Sequence, residues 1–175
     1  AMRTKALSDE DTAAVNRGLE ETGRYLQNLL IDDREELSIS EVVASAQRMV
    51  HNGARLVIVD HLGEIMLARS SERHDLEIGD AVKKLRAISK SHGVPVLLVC
   101  HLRRREGLDG LEEEPKLTDF AFSSALERAS RLALALRRDP QERDKLVCHV
   151  LKNTSGPSGQ TVPLRFNFLS GVVDG

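Results

Sequence analysis

Two polar residues stand where buried strands would end, and they define the chemistry to look for. Asp60 closes RLVIVD, residues 55–60, an apolar β-branched run too short for a helix. A carboxylate at the carboxyl end of a parallel strand lies where open α/β sheets bind ligands. A hard Mg²⁺ ion needs oxygen donors held on such a rigid element, usually reached through water, beside nucleotide phosphates. The plainer role is a strand-end Asp that caps the next turn, and four hydrophobics followed by Asp favour that role on motif frequency alone. His101 follows a second apolar run, VPVLLVC at 94–100. Its imidazole can donate a hydrogen bond to a phosphate oxygen and pass a change in that contact to the loop it begins. A strand-end His satisfied by backbone is the competing role. Neighbouring strands would put Asp60 and His101 close together.

Arg103, Arg104 and Arg105 follow at once, and three guanidiniums can contact a phosphate backbone. Glu106, Asp109 and Glu112 to Glu114 come directly after and could neutralise them within the loop. Lys152 and the turn-rich NTSGPSGQ form a nest-like element, a composition that usually marks only a turn. His51, His74, His92 and His149 show no ligand spacing. Cys100 and Cys148 lie far apart without CxxC spacing, which argues against a disulfide framework or structural zinc and for reduced core thiols.

The elements that must position these residues alternate. Ser8 with Asp-Glu-Asp reads as a helix start, followed by one or two helical pieces interrupted near Gly23. Ser40 is the expected cap of a second helix, stopped by Asn52-Gly53. A third helix is expected from about Arg73 to His92 between the two apolar strands. Strand, helix, strand is a βαβ unit with a right-handed crossover, and its strands, apolar throughout, should be covered on both faces. Residues 103–117 read as a long exposed loop, and Thr118 as the cap of a short helix to about Ala129. RLALALRR at 131–138, KLVCHVLK at 145–152 and TVPLRFNF at 161–168 alternate like strands of an antiparallel meander added to the sheet. The fold class is α/β.

The 175 residues, 41% hydrophobic and 30% charged, suffice for one domain with a single core. A net charge of −2 gives no global basic footprint for nucleic acid or an anionic membrane, so any basic site is local. With 3% aromatics, no Trp and one Tyr, the composition argues against a surface that stacks successive bases on rings, and the core must be aliphatic. No apolar run reaches membrane-spanning length, and the start lacks the apolar stretch of a secretory signal, so a cytoplasmic protein is expected.

In order, LSISEVVASAQRMV, LVIVDHLGEIM, VPVLLVCHLRR, EEPKLTDFAFSSALERASRLALALRRD and VCHVLKNTSGPSGQTVPLRF resemble successive segments of the ATPase domain of DnaB-like hexameric replicative helicases. VDHL and VCHL resemble the phage and mitochondrial primase-helicase branch. The resemblance implies a RecA-like P-loop NTPase sheet, mainly parallel with a C-terminal antiparallel meander, truncated at its N-terminal part. It implies ATP and Mg²⁺ as cofactors of the full-length parent, hydrolysis at subunit interfaces of a hexameric ring, and translocation on single-stranded DNA. Primase or a helicase loader would be further partners. By position, Asp60 matches the Walker B aspartate that holds Mg²⁺ and His101 the phosphate sensor. The loop from Arg103 to Arg105 matches a DNA-contacting loop. Lys152 matches the lysine of a Lys-x-Arg element that reaches a neighbour's nucleotide, but the arginine-finger position is Thr154. A threonine cannot replace an arginine finger worth several powers of ten in rate. No G-x-x-x-x-G-K-[ST] occurs in the sequence. The family's order places it upstream, and Ala1-Met2 reads as a cloning scar before an internal start. The expectation is one partial domain over 1–175 that neither binds nor hydrolyses ATP by itself. The alternative is a catalytically degenerate RecA-like structural or regulatory domain.

Overall fold

The computed structural model describes residues 8–35, 37–62, 74–102, 114–120, 123–139 and 141–175. The chain divides into two compact units, residues 1–34 and 35–175.

The first unit is helix α1, Asp9–Leu26. Ser8 and Asp11 close a reciprocal capping box: the Asp11 amide donates to Ser8 Oγ at 3.1 Å and the Ser8 amide to Asp11 Oδ2 at 3.0 Å. The helix runs unbroken through Gly23, which corrects the expected interruption. A helical glycine costs about 1 kcal/mol relative to alanine, too little to break a long, well-capped helix. No residue of α1 is buried.

In the second unit, helix α2 spans Ile39–His51 and its cap is Ser38, not Ser40. The reason lies three residues on: Glu41 returns the bond, accepting the Ser38 amide at 2.8 Å, whereas Val43, three beyond Ser40, could not. Gly53, at φ +94°, supplies the left-handed stop. Strand β1 (Val57–Val59), helix α3 (His74–His92) and strand β2 (Val96–Leu98) then form the βαβ unit. β1 and β2 are adjacent and parallel, with Val57 opposite Val96 and Val59 opposite Leu98. Both are shorter than their apolar runs. Val57 and Val59 pack with Val43, Ala46 and Val50 of α2 and Leu85 and Ile88 of α3. The opposite face corrects the expectation of two covered faces, because Leu56, Ile58 and Leu97 are each at least 50% exposed. α2 and α3 both add to the same side, so the inward residues alternate with bare ones.

A second cluster joins Leu62, Ile78 and Val82 to Leu98, Leu126 and Ala129. The buried apolar residues of both clusters are aliphatic, as the composition required. Thr118 does not cap a helix. It lies in a 3-10 turn, Leu117–Asp119, separate from helix α4, Ser123–Ala129. An antiparallel bridge between Leu102 and Phe120 draws Phe120 into extended backbone and ends the turn. Strands β3 (Leu132–Arg138), β4 (Lys145–Asn153), β5 (Gln160–Phe166) and β6 (Val173–Asp174) form the meander in that order. It is a sheet of its own rather than an extension of the parallel pair, since β2 and β3 share no ladder. The segment DPQERD between β3 and β4 carries an Asx turn, with Asp139 Oδ1 accepting from Gln141 and Glu142 amides at 2.9 and 3.1 Å.

Candidate functional site

The carboxyl ends of β1 and β2 carry the site. The Val99 amide donates to the Val59 carbonyl at 3.0 Å and the Leu62 amide to the Val99 carbonyl at 3.1 Å. These bonds tie both chains together just beyond the strands. Asp60 lies between them, exposed, on the residue following β1. His101 leaves the end of β2 at the same edge. The parallel register therefore brings the two sequence-derived residues to one edge of the sheet, as expected.

The ring that His101 meets is a third residue, His61. Their imidazoles pack edge to face with centroids 4.1 Å apart at 85°, and Nε2 of one is in close hydrogen-bond contact with Nε2 of the other. The next residue, Leu62, is 1% exposed and anchors this turn in the second cluster. Sequence reasoning passed over His61. The available signal was the parallel between VDHL and VCHL: each strand delivers a histidine to the same edge.

Arg103, Arg104 and Arg105 lie outside the described residues. Lys152 is elsewhere in the fold: it sits on β4, and its ammonium donates to the Glu127 carbonyl in α4. The last carbonyls of a helix lack intrahelical donors and favour a cation, so this contact is a helix cap. Thr154 follows β4, with its amide donating to the Arg131 carbonyl at 2.9 Å. Cys100 and Cys148 are free and half-buried, and burial pushes the Cys100 thiol above its ordinary pKa, which leaves it a poor nucleophile. His149 is 8% exposed within β4, and His51 and His92 close the last turns of α2 and α3.

Asp60 offers one exposed carboxylate on a rigid strand end. This suits a Mg²⁺ ion that keeps most of its shell as water and phosphate oxygen. Among the described residues no group of three potential metal ligands comes together, so no protein cage for the ion forms there. Nor does the sequence contain the G-x-x-x-x-G-K-[ST] pattern that cradles β- and γ-phosphates. The residues present fit the metal-side half of a nucleotide site.

A family model described as the DnaB-like helicase C terminal domain matches residues 1–170. The replicative DNA helicase DnaB of Buchnera aphidicola subsp. Acyrthosiphon pisum is 31% identical over 174 residues, 95% of this chain and 37% of that protein. The DnaB of Haemophilus influenzae is 30% identical over 148 residues, 80% of this chain and 31% of the relative. The DNA helicase/primase of Enterobacteria phage T3 is 28% identical over 140 residues, 73% of this chain and 25% of that protein. The chain thus spans between a quarter and two-fifths of these relatives. Among solved structures, a DnaB-like replicative helicase, described with its interactions with primase, superposes with a TM-score of 0.77 at 22% identity, covering 96% of this chain and 42% of its own. The RadB recombinase follows with a TM-score of 0.54 at 17% identity, over 71% of this chain and 54% of its own. The fold is RecA-like α/β.

Proposed function

The chain belongs to the DnaB-like helicase C-terminal domain family, and we propose that it is the C-terminal part of an ATP-dependent motor that translocates on single-stranded DNA and unwinds duplex. The observation that carries this reading is the shared edge of β1 and β2, where Asp60 and His101 follow the ends of two adjacent parallel strands. Bound Mg-ATP would supply the phosphoryl group and the cation that neutralises it. Asp60 would hold that cation through water, and His101 would donate from its ring to phosphate oxygen. Arg103 to Arg105 come two residues after His101 in the sequence, so a change at the imidazole would be passed to arginines that contact the DNA backbone. In a six-membered ring Lys152 would leave the Glu127 carbonyl to reach a neighbouring subunit's nucleotide. The 175 residues act as one partial domain of a cytoplasmic protein, with primase as a partner. No helix among the described residues is long and apolar enough to cross a membrane.

Thr154 and the Lys152–Glu127 contact favour a second reading, a RecA-like domain without catalysis, since the finger position has no guanidinium and Lys152 caps a helix. Two measurements separate the readings. In the parent protein, changing Arg103, Arg104 and Arg105 together to alanine lowers single-strand affinity and flattens its salt dependence, while His101→Ala leaves both ligands bound but abolishes DNA stimulation of hydrolysis. Unchanged DNA affinity and salt slope in the triple variant sink the motor reading. The 175-residue chain itself is expected to show no saturable ATP binding below about millimolar concentration by calorimetry, and micromolar binding would overturn the assignment of the phosphate cradle to another part of the protein.

A further inference from the structure

We propose that His61 and His101 form a two-imidazole chelate for a divalent transition cation of the zinc, nickel or copper class. The proposal stands on ring geometry alone and does not depend on the motor reading.

Two features carry it. The Nε2 atoms face each other at the sheet edge. In neutral imidazole one ring nitrogen carries a proton and the other a lone pair, so two facing Nε2 atoms either share one proton or offer lone pairs to a cation. Zinc takes imidazole nitrogen at about 2.0–2.1 Å, so a small opening of the rings lets one ion bridge both. The second feature is preorganisation. Backbone bonds of 3.0 and 3.1 Å link Val59 and Leu62 to Val99, clamping the chain on both sides of His61 and near His101. Leu62, at 1% exposure, fixes the turn. Little conformational freedom remains to be lost when the chelate closes. His101 is exposed and His61 half-buried, so an ion enters from the His101 side and its other positions are left to water. Mg²⁺ prefers oxygen donors and competes poorly for two nitrogens.

The test uses the tag-free 175-residue chain titrated with ZnCl₂ and NiCl₂ in a calorimeter. One ion binds per chain, and His61→Asn or His101→Asn each weakens it at least about tenfold. The double variant is little worse than either single, because one loss already breaks the chelate. His51→Asn and His92→Asn leave binding unchanged, and excess Mg²⁺ does not displace the ion. A measurement on the wild-type chain guards against misfolded variants: Cu²⁺ broadens amide resonances of residues 59–62 and 98–102 before all others. Wild-type affinity in both single variants, displacement by Mg²⁺, or broadening centred elsewhere overturns the proposal and leaves a proton-sharing pair only.

Discussion

Replacing Leu62 by alanine should unfold more than its own contacts, because this side chain fastens the turn that carries His61. Leu62 is 1% exposed and packs with Ile78, at 0%, and Val82, at 3%. Removing three buried carbons forfeits about 2 kcal/mol of transfer free energy at roughly 0.8 kcal/mol per methylene. Its cluster partners sit on α2, α3, α4 and β2, elements that cannot collapse fully into the space, so a cavity term of about 1 kcal/mol adds to it. The expected loss is about 3 kcal/mol. With a urea slope of about 2 kcal/mol/M, the unfolding midpoint falls by roughly 1.5 M. Leu136→Ala, at a side chain 61% exposed, costs under about 1 kcal/mol. Leu62→Met conserves volume and stays within about 1.5 kcal/mol of wild type. Imidazole ¹⁵N spectra of Leu62→Ala should also show the contact between His61 and His101 loosened. The reasoning is refuted if the Leu62→Ala midpoint stays within about 0.3 M of wild type, or if Leu136→Ala costs as much.

Ser38→Ala should lower stability by about 1 kcal/mol in urea unfolding, and Ser40→Ala by less than half of that; the reverse order would reinstate Ser40 as the cap of α2. Asp139 is held below the usual carboxylate range by backbone amides of Gln141 and Glu142, so its contribution is full above the unfolded pKa near about 3.9 and is lost as pH falls through the lower folded value. Asp139→Asn should therefore flatten the acid limb of a midpoint-versus-pH series. Lys145 is pushed above its ordinary pKa first by its hydrogen bond to Asp139, then by that to Glu142. Its contribution is full below about pH 10.4 and is lost as pH rises through the folded value, and Lys145→Met should flatten the alkaline limb.

Elements whose evidence is local were legible. The parallel pair followed from two short apolar runs separated by a helix-length segment, and their adjacency is what a βαβ unit requires. The meander followed from period-two alternation and turn chemistry at Asp139 and Gly159. Features decided by competition between similar local signals were not. Ser38 and Ser40 are equally good caps by type, and only the reach of Glu41 separates them. Thr118 reads as a cap until the bridge between Leu102 and Phe120, residues distant in sequence, sets the backbone there. Burial of both faces of β1 was inferred from apolar content, but apolar content reports what a strand can tolerate. Coverage depends on where α2 and α3 add, and Ile58, at 57% exposed, shows the difference.

The site divides along the same line. Asp60 and His101 could be placed together because strand ends and parallel register are properties of the backbone pattern, which the sequence encodes through periodicity. Lys152 could not be placed that way. Its position on β4 was legible, but its partner is the carbonyl of Glu127, and a carbonyl acceptor has no residue-type signature to search for. His61 is the instructive miss, since it stood beside Asp60 and was of the same type as His101. A search for chemistry by spacing along the chain sets His61 and His101 40 residues apart and finds nothing. A search by strand end puts them at one edge, because a parallel pair converts sequence distance into register. Once β1 and β2 are taken as neighbours, every polar residue within two or three positions of either strand end is a candidate for contact. His61 then enters the site by the same argument that admitted Asp60.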